Sequence, residues 1–317
     1  MRIQFLFVLL LPVLVNAQVQ WKNVDSLYQP LPNGVHVYFT NDSLNGKPNK
    51  AYYVEANFKN KSLLFSTAVG EGKRYTPSAY YTKEQKPLVV VNSSFFEFIR
   101  NSNLNIVMNE GKITAYNLHT IALKGKDTLT YRHMLGSAIG INKKRKADIA
   151  WLYTDSSSTY PLASQEPVNA IKDSIPYLRT NQFKVPVQLD KWKMQTAVGG
   201  GPVLVQEGKV KITNNEELKF AGKALYDKHP RTAMGYTNNG KLIIMAVEGR
   251  FPGKAEGADL LQLATLLKDI GCIEALNLDG GGSSCLLVNG KQTIQPSDKE
   301  GQRPVPAVFI IAQKNRQ

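Results

Sequence analysis

The chain has 317 residues, 43% of them hydrophobic, with 39 Lys+Arg against 25 Asp+Glu and a net charge of +14 at pH 7. Such composition excludes a disordered chain and suits one large packed domain or two small ones. The excess charge is thinly spread, concentrated only at Lys143–Lys146 and not interleaved with aromatics, which argues against a nucleic-acid protein and leaves a generally basic surface or attraction to an anionic substrate.

In chain order, the first feature is a leader. Arg2 forms a short positive region, Phe5 to Val15 an apolar run, and Val15-Asn16-Ala17 a set of small residues before a cleavage point. About a dozen apolar residues fall short of the roughly 20 that cross a bilayer. Residues 1–17 therefore read as a signal peptide, with an exported protein beginning at Gln18 and occupying 18–317. No cysteine follows the apolar run to take a lipid, and no later segment is apolar enough to span a membrane.

Short β-branched and aromatic runs bounded by turn residues come next: Val35–Phe39, Ala51–Phe58, Ser62–Val69, Pro87–Asn92, Ser137–Asn142 and Ala147–Tyr153. Residues 154–186 are polar with several prolines and read as an excursion, partly helical around Val168–Ser174. Strands resume at Gly201–Val205, Thr232–Thr237, Lys241–Gly249 and Pro306–Gln313. Asn-Gly signals within Thr237–Lys241 and Leu287–Lys291 mark tight hairpins. One helix is clear, since Leu260, Leu263, Ala264, Leu267 and Ile270 recur at the helical period and Gly271 suits its end. The fold class is α+β, a mixed but largely antiparallel sheet system with a few packing helices in a single domain.

The strand "IEALNLD" follows that helix at once. Alternation sends Leu276 and Leu278 to one face, expected to pack on the helix, and Asn277 and Asp279 to the other. After it, "GGGSS" offers amides free to form an anion-attracting concavity at Gly280, Gly281 and Gly282, and hydroxyls at Ser283 and Ser284. A hairpin between Ala275–Asp279 and Cys285–Val288 would set Cys285 opposite Asn277 rather than Cys272, so both cysteines read as buried free thiols. Neither has a neighbour at metal-ligand spacing.

Other segments carry chemistry. "KHPRT" places His229 and Arg231 just before a strand, and a guanidinium fork matches phosphate or carboxylate oxygens. "VEGR" ends a strand with Glu248, a second candidate acid or base, beside Arg250. Asn92 ends the strand "VVVN", and Asp298 and Arg303 lie in an ordered loop before the last strand.

Taken in order, "NSSFF", "GGGPVLVQEG", "HPRTAMGYT", "VEGR", "GADLLQLATLLKDIGCIEALNLDGGGSS" and "GQRPVP" resemble the motifs of the phosphodiester glycosidase family over residues 88–312. Two motifs depart from it: Ser93-Ser94 replace a usual Gly-Gly, and Glu248 replaces a usual Asp. The resemblance implies hydrolysis of a sugar linked through its anomeric carbon to a phosphodiester. It places Asp279 and Glu248 as catalytic carboxylates, with Arg231, Arg303, Asn277, Asn92, His229, Thr232, Gly280, Gly281, Gly282, Ser283, Arg250 and Asp298 around the substrate. A carboxylate suits an oxocarbenium-like state, and the departing phosphate needs charge stabilisation more than protonation. The implied partner is a phosphorylated sugar. Nothing in the spacing requires a cofactor or metal, although a single Ca²⁺ held by carbonyls leaves no such mark. Two other readings are a non-catalytic receptor for anionic glycans, which needs the arginines but neither carboxylate, and a serine hydrolase using Ser283 or Ser284 with His229.

Overall fold

The computed structural model describes residues 18–123, 129–177, 179–180 and 187–314; the leader, 1–17, lies outside them. The longer strands are β1 (Val35–Thr40), β2 (Ala51–Asn57), β3 (Leu63–Val69), β4 (Val89–Asn92), β5 (Gly136–Ile141), β6 (Ala147–Tyr153), β7 (Thr196–Gly199), β8 (Val203–Gln206), β9 (Arg231–Thr237), β10 (Lys241–Val247), β11 (Cys272–Asn277), β12 (Leu286–Val288) and β13 (Ala307–Gln313), and all but β7 fall on expected runs. Shorter strands lie between them, with helices α1 (Pro77–Lys83), α2 (Asn214–Glu217) and α3 (Leu260–Asp269).

An eight-stranded sheet runs β1-β2-β10-β9-β11-β8 between two short edge strands. A five-stranded sheet contains β12-β4-β13-β3, and a seven-stranded one contains β6-β5-β7. Every named pairing among the described residues is antiparallel. One core joins the three sheets: Met234, Ile244 and Leu276 from the first meet Val89, Val91 and Phe309 from the second and Ile139 and Trp151 from the third. The unbroken "VVV" of β4 follows from burial on both faces, because Val89 and Val91 enter this core while Val90 packs with Tyr80 of α1.

Helix α3 covers the outer face of the eight-stranded sheet. Asp259 caps it, accepting from the Gln262 N–H at 2.8 Å while the Gln262 side chain accepts from the Asp259 N–H. Leu260, Leu263, Ala264 and Leu267 are buried against Ala233, Ile243, Met245 and Ala275. Each such leucine is worth roughly 1.5–3 kcal/mol over an exposed one.

Three expectations need correction. Leu276 and Leu278 face the common core, and α3 takes Cys272 and Ala275 instead; with both sheet faces buried, the small side chains admit the helix. The hairpin between Ala275–Asp279 and Cys285–Val288 does not form, because β11 already has β9 and β8 on its two edges. The chain instead crosses to the five-stranded sheet, where β12 pairs β4. Finally, the segment expected to be helical around Val168–Ser174 holds a strand, Ile171–Asp173, paired with Tyr131–His133; β-branched Ile171 finds a partner strand, and flanking Pro167 and Pro176 oppose a helix. Helix α1, unmarked in the strand pattern, begins at Thr76, whose hydroxyl accepts from the Ala79 N–H at 3.1 Å.

The topology gathers the motifs. Antiparallel pairing sets Arg231 opposite Val247 and Ala233 opposite Asn277. The start of β9, the end of β10 and the end of β11 therefore share one end of the sheet, and "HPRT", "VEGR" and "NLDGGGSS" emerge together there.

Candidate active site

Asp279 stands where the chain leaves one sheet for the other, and Asn92 holds that crossing. The Asn92 side chain donates to the Asp279 carbonyl at 2.6 Å and accepts from the Thr232 hydroxyl at 2.9 Å and the Cys285 N–H at 3.0 Å. The Asp279 N–H donates to Ser93 O at 2.9 Å and the Leu278 N–H to Thr232 O at 2.8 Å. Asn92 and Thr232 are fully buried, and both act on the backbone around Asp279. Ser93 and Ser94, where the family usually has glycines, preserve this close approach; the Ser94 hydroxyl donates to Phe95 O at 2.8 Å.

The three glycines each make room for a neighbour. A Cβ on Gly280 would lie 2.9 Å from Pro230 O, one on Gly281 would lie 2.9 Å from Arg250 Nη2, and one on Gly282 would collide with Arg303 Nη2. Gly281 also adopts a left-handed φ of 61°. Their amides are largely engaged: Gly280 N–H bonds the Asp279 carboxylate and Gly281 N–H donates to Pro230 O at 2.8 Å. The expected concavity of amides is thus a set of guanidiniums laid against glycine backbone.

The Asp279 carboxyl is pushed up to about 6 by burial, opposed by a hydrogen bond from Ser283, the charge of Arg303 and the Gly280 N–H. Arg303 is held by Asp298 at 2.6 Å, and its Nη1 reaches the Ser283 hydroxyl at 3.5 Å. The same ion pair holds the Asp298 carboxyl below its usual range. Across this loop, Phe98 stands exposed with Arg303 and Arg74 both stacked near its ring, at 5.6 and 5.2 Å.

Arg231 differs from Arg303. It is buried, its Nε and Nη2 donating to Ala258 O and Asp227 O, both at 2.9 Å, and burial pulls its guanidinium down to about 10. Two of its three nitrogens are therefore engaged by the fold. His229 lies near Arg231 and Arg250, and burial and their charges lower its pKa; among the described residues its Nδ1 has no partner. No hydrogen bond among the described residues joins it to Ser283 or Ser284, so the contact a serine hydrolase needs is missing. Glu248 is buried, accepting from the Gln295 N–H at 2.8 Å and facing Lys50 at 3.5 Å, with no bond to Asp279 among the described residues. Asn277 donates to Gly201 O at 2.9 Å. Among the described residues its Oδ1, like the hydroxyls of Ser93 and Ser284, is buried without a protein partner. Cys272 and Cys285 are free and buried, as expected, with burial pushing both thiols up to about 12.

Sequence reasoning missed Lys219. Its stem presses on Gly201, where a Cβ would lie 2.5 Å from Cε, and its ammonium sits 5.2 Å from the Phe95 ring. Phe95 meets Phe220 edge-on at 6.1 Å, and Arg231 lies 5.6 Å from the Phe220 ring. Burial lowers Lys219 to about 8. The neighbouring carboxylate, Glu217, is already satisfied by the Thr213 and Ser137 hydroxyls, Trp151 and the Val203 N–H. As one basic residue among 39, Lys219 carried no local signal.

A family model described as phosphodiester glycosidase matches residues 85–312, most of the chain. The chain belongs to that family. Over 102 residues it is 28% identical to the N-acetylglucosamine-1-phosphodiester alpha-N-acetylglucosaminidase of Mus musculus, covering 32% of this chain and 19% of that protein. Over 71 residues it is 42% identical to YomE, an uncharacterized SPbeta prophage-derived protein of Bacillus subtilis, covering 22% of this chain and 11% of that one. The aligned stretches thus span less than a fifth of each of these two relatives. The fold matches the catalytic domain of the zebrafish N-acetylglucosamine-1-phosphodiester alpha-N-acetylglucosaminidase, a structure described as auto-inhibited by its pro-peptide, with a TM-score of 0.60 and 19% identity over 93% of this chain and 88% of that one.

Proposed function

We propose that the protein is exported and hydrolyses the glycosyl bond of a sugar-1-phosphodiester. Water adds its hydroxyl to the anomeric carbon and its proton to the departing phosphate oxygen, giving free sugar and a phosphomonoester. The observation that carries this reading is Asp279, a carboxylate whose pKa is raised by burial, beside the Ser283 hydroxyl and Arg303 and followed by three glycines that Arg231, Arg250 and Arg303 approach. In its ionised form Asp279 acts on the anomeric centre, as nucleophile or as base toward water, and stabilises the oxocarbenium-like state. Arg303 and Arg250 neutralise the phosphate as it leaves. Lys219 is a further cation for an anionic group of the substrate, and Phe95 and Phe220 supply an apolar wall for a sugar face. Glu248, tied to Lys50 and Gln295, orders the loop before Asp298 and serves as the second carboxylate.

Incubating the purified protein with a panel of sugar-1-phosphodiesters should release free sugar and phosphomonoester in equal amounts. Binding of these compounds without release would instead favour the receptor for anionic glycans.

A further inference from the structure

The one dense basic run in the sequence, Lys143–Lys146, plays no part in this site, and the fold gives it a companion. Arg145 reaches into a distant turn, donating through Nε to Phe58 O at 2.5 Å, through Nη2 to Asn60 O at 2.8 Å and through Nη1 to Leu63 O at 3.0 Å. That clamp welds the Lys144–Lys146 turn to the turn carrying Lys59 and Lys61. Between them lies a groove of about 590 Å³ whose lining includes Lys59, Lys61, Lys144, Arg145 and Lys146 and no carboxylate. The four lysines are exposed, and among the described residues none has an ion-pair partner. Glu274, which accepts from the hydroxyl of the lining residue Tyr236, and Asp148, which accepts from Trp192 Nε1, are each hydrogen-bonded elsewhere, and neither lines the groove. Five cations line the groove and no carboxylate does, so they repel one another in a way that a bound anion would relieve.

The groove sits at the Thr237 end of β9, whereas Asp279 lies at the Arg231 end. Six residue steps of strand separate them, about 20 Å at roughly 3.3 Å per residue. A small sugar phosphodiester cannot reach both. The lining also discriminates among polyanions. Its aromatics are a buried Phe58 and a Tyr236 engaged with Glu274, so no free ring is offered for stacking nucleobases. Its cations line a concave groove rather than a flat plane suited to a lipid surface.

We propose that this groove is a second anion-binding site, which holds a linear phosphodiester polymer without bases, such as a phosphate-linked glycan or polyol chain. The inference rests on the groove alone and does not depend on hydrolysis at Asp279. Long-chain linear polyphosphate is the probe, titrated into the full chain at several salt concentrations and compared with a single-stranded oligonucleotide and with anionic phospholipid vesicles. The wild type should bind polyphosphate with marked salt dependence and more tightly than either comparator. The combined variant K59Q/K61Q/K144Q/K146Q, all at exposed positions, should lose about tenfold or more in affinity with a shallower salt dependence, while turnover of a small sugar-1-phosphodiester stays as in wild type. Equal polyphosphate affinity in the variant, tighter binding of the oligonucleotide or the vesicles, or displacement of the polymer by a small phosphodiester would each overturn the proposal.

Discussion

Asn92 holds Asp279 by its backbone: the Asn92 amide donates to the Asp279 carbonyl at 2.6 Å, while its oxygen collects the Thr232 hydroxyl and the Cys285 N–H. One side chain at the end of a five-stranded-sheet strand thereby sets where the carboxylate at the end of an eight-stranded-sheet strand stands. Removing it leaves a buried carbonyl, hydroxyl and N–H unpaired, at about 1–3 kcal/mol each. Asn92→Ala should therefore unfold at clearly lower denaturant and lose turnover with it. Unchanged unfolding alongside lost turnover would move Asn92 from the scaffold to the chemistry.

Asp279→Asn separates catalysis from stability. The variant should lose about 10³-fold or more in kcat with substrate binding little changed. Its stability should show the opposite sign. The folded protein raises this carboxyl from 3.8 to about 6, so the protonated form is favoured and wild-type stability falls as pH rises through that window. That difference costs the ionised wild type up to about 3 kcal/mol, a cost asparagine does not bear. Thermal unfolding at pH 4 and pH 7 should show the variant gaining on the wild type at the higher pH. A variant less stable than wild type at pH 7 and still active would leave Asp279 as a turn former.

The pH profile of kcat/KM should be bell-shaped. It should rise through about 6 as Asp279 ionises and fall through about 8 as Lys219 loses its proton. Lys219→Met should abolish the descending limb and raise KM. Ser283→Ala should move the ascending limb to higher pH, because the Ser283 hydrogen bond holds the Asp279 carboxyl down. A profile whose limbs stay put in both variants would assign the two titrations to other groups.

The two arginines should fail differently. Arg303 is partly exposed and held by one ion pair, so Arg303→Ala should cost about two to three orders of magnitude in activity with a modest change in melting temperature. Arg303→Lys should rescue poorly, since an ammonium lacks the fork. Arg231→Ala removes a buried side chain whose Nε and Nη2 tie the Ala258 and Asp227 carbonyls together, so its loss of activity should come with a large loss of stability. Equal melting temperatures for the two Ala variants would refute the distinction.

The sequence alone determined most of the long strands and where α3 runs, and it singled out "HPRT", "VEGR" and "NLDGGGSS" as candidates for the chemistry, because strand alternation, helix periodicity and glycine runs are local properties of the chain. It had no access to which sheet each strand joins. Leu276 was assigned to the helix and belongs to the common core, and Asp279 was drawn in a hairpin but stands at a crossing between two sheets. The glycines were legible as a demand for close approach, yet only packing revealed that Arg250 and Arg303 fill the space. Arg231 and Arg303 look alike in sequence; burial against Asp227 O and Ala258 O commits most of one to the fold, while Asp298 holds the other beside Ser283. Lys219 was one lysine among many until tertiary contacts placed it beside Phe95 and Gly201, where desolvation separates it from its solvated neighbours. Burial and charge environment arise from residues far apart in the chain, and local pattern carries no information about them.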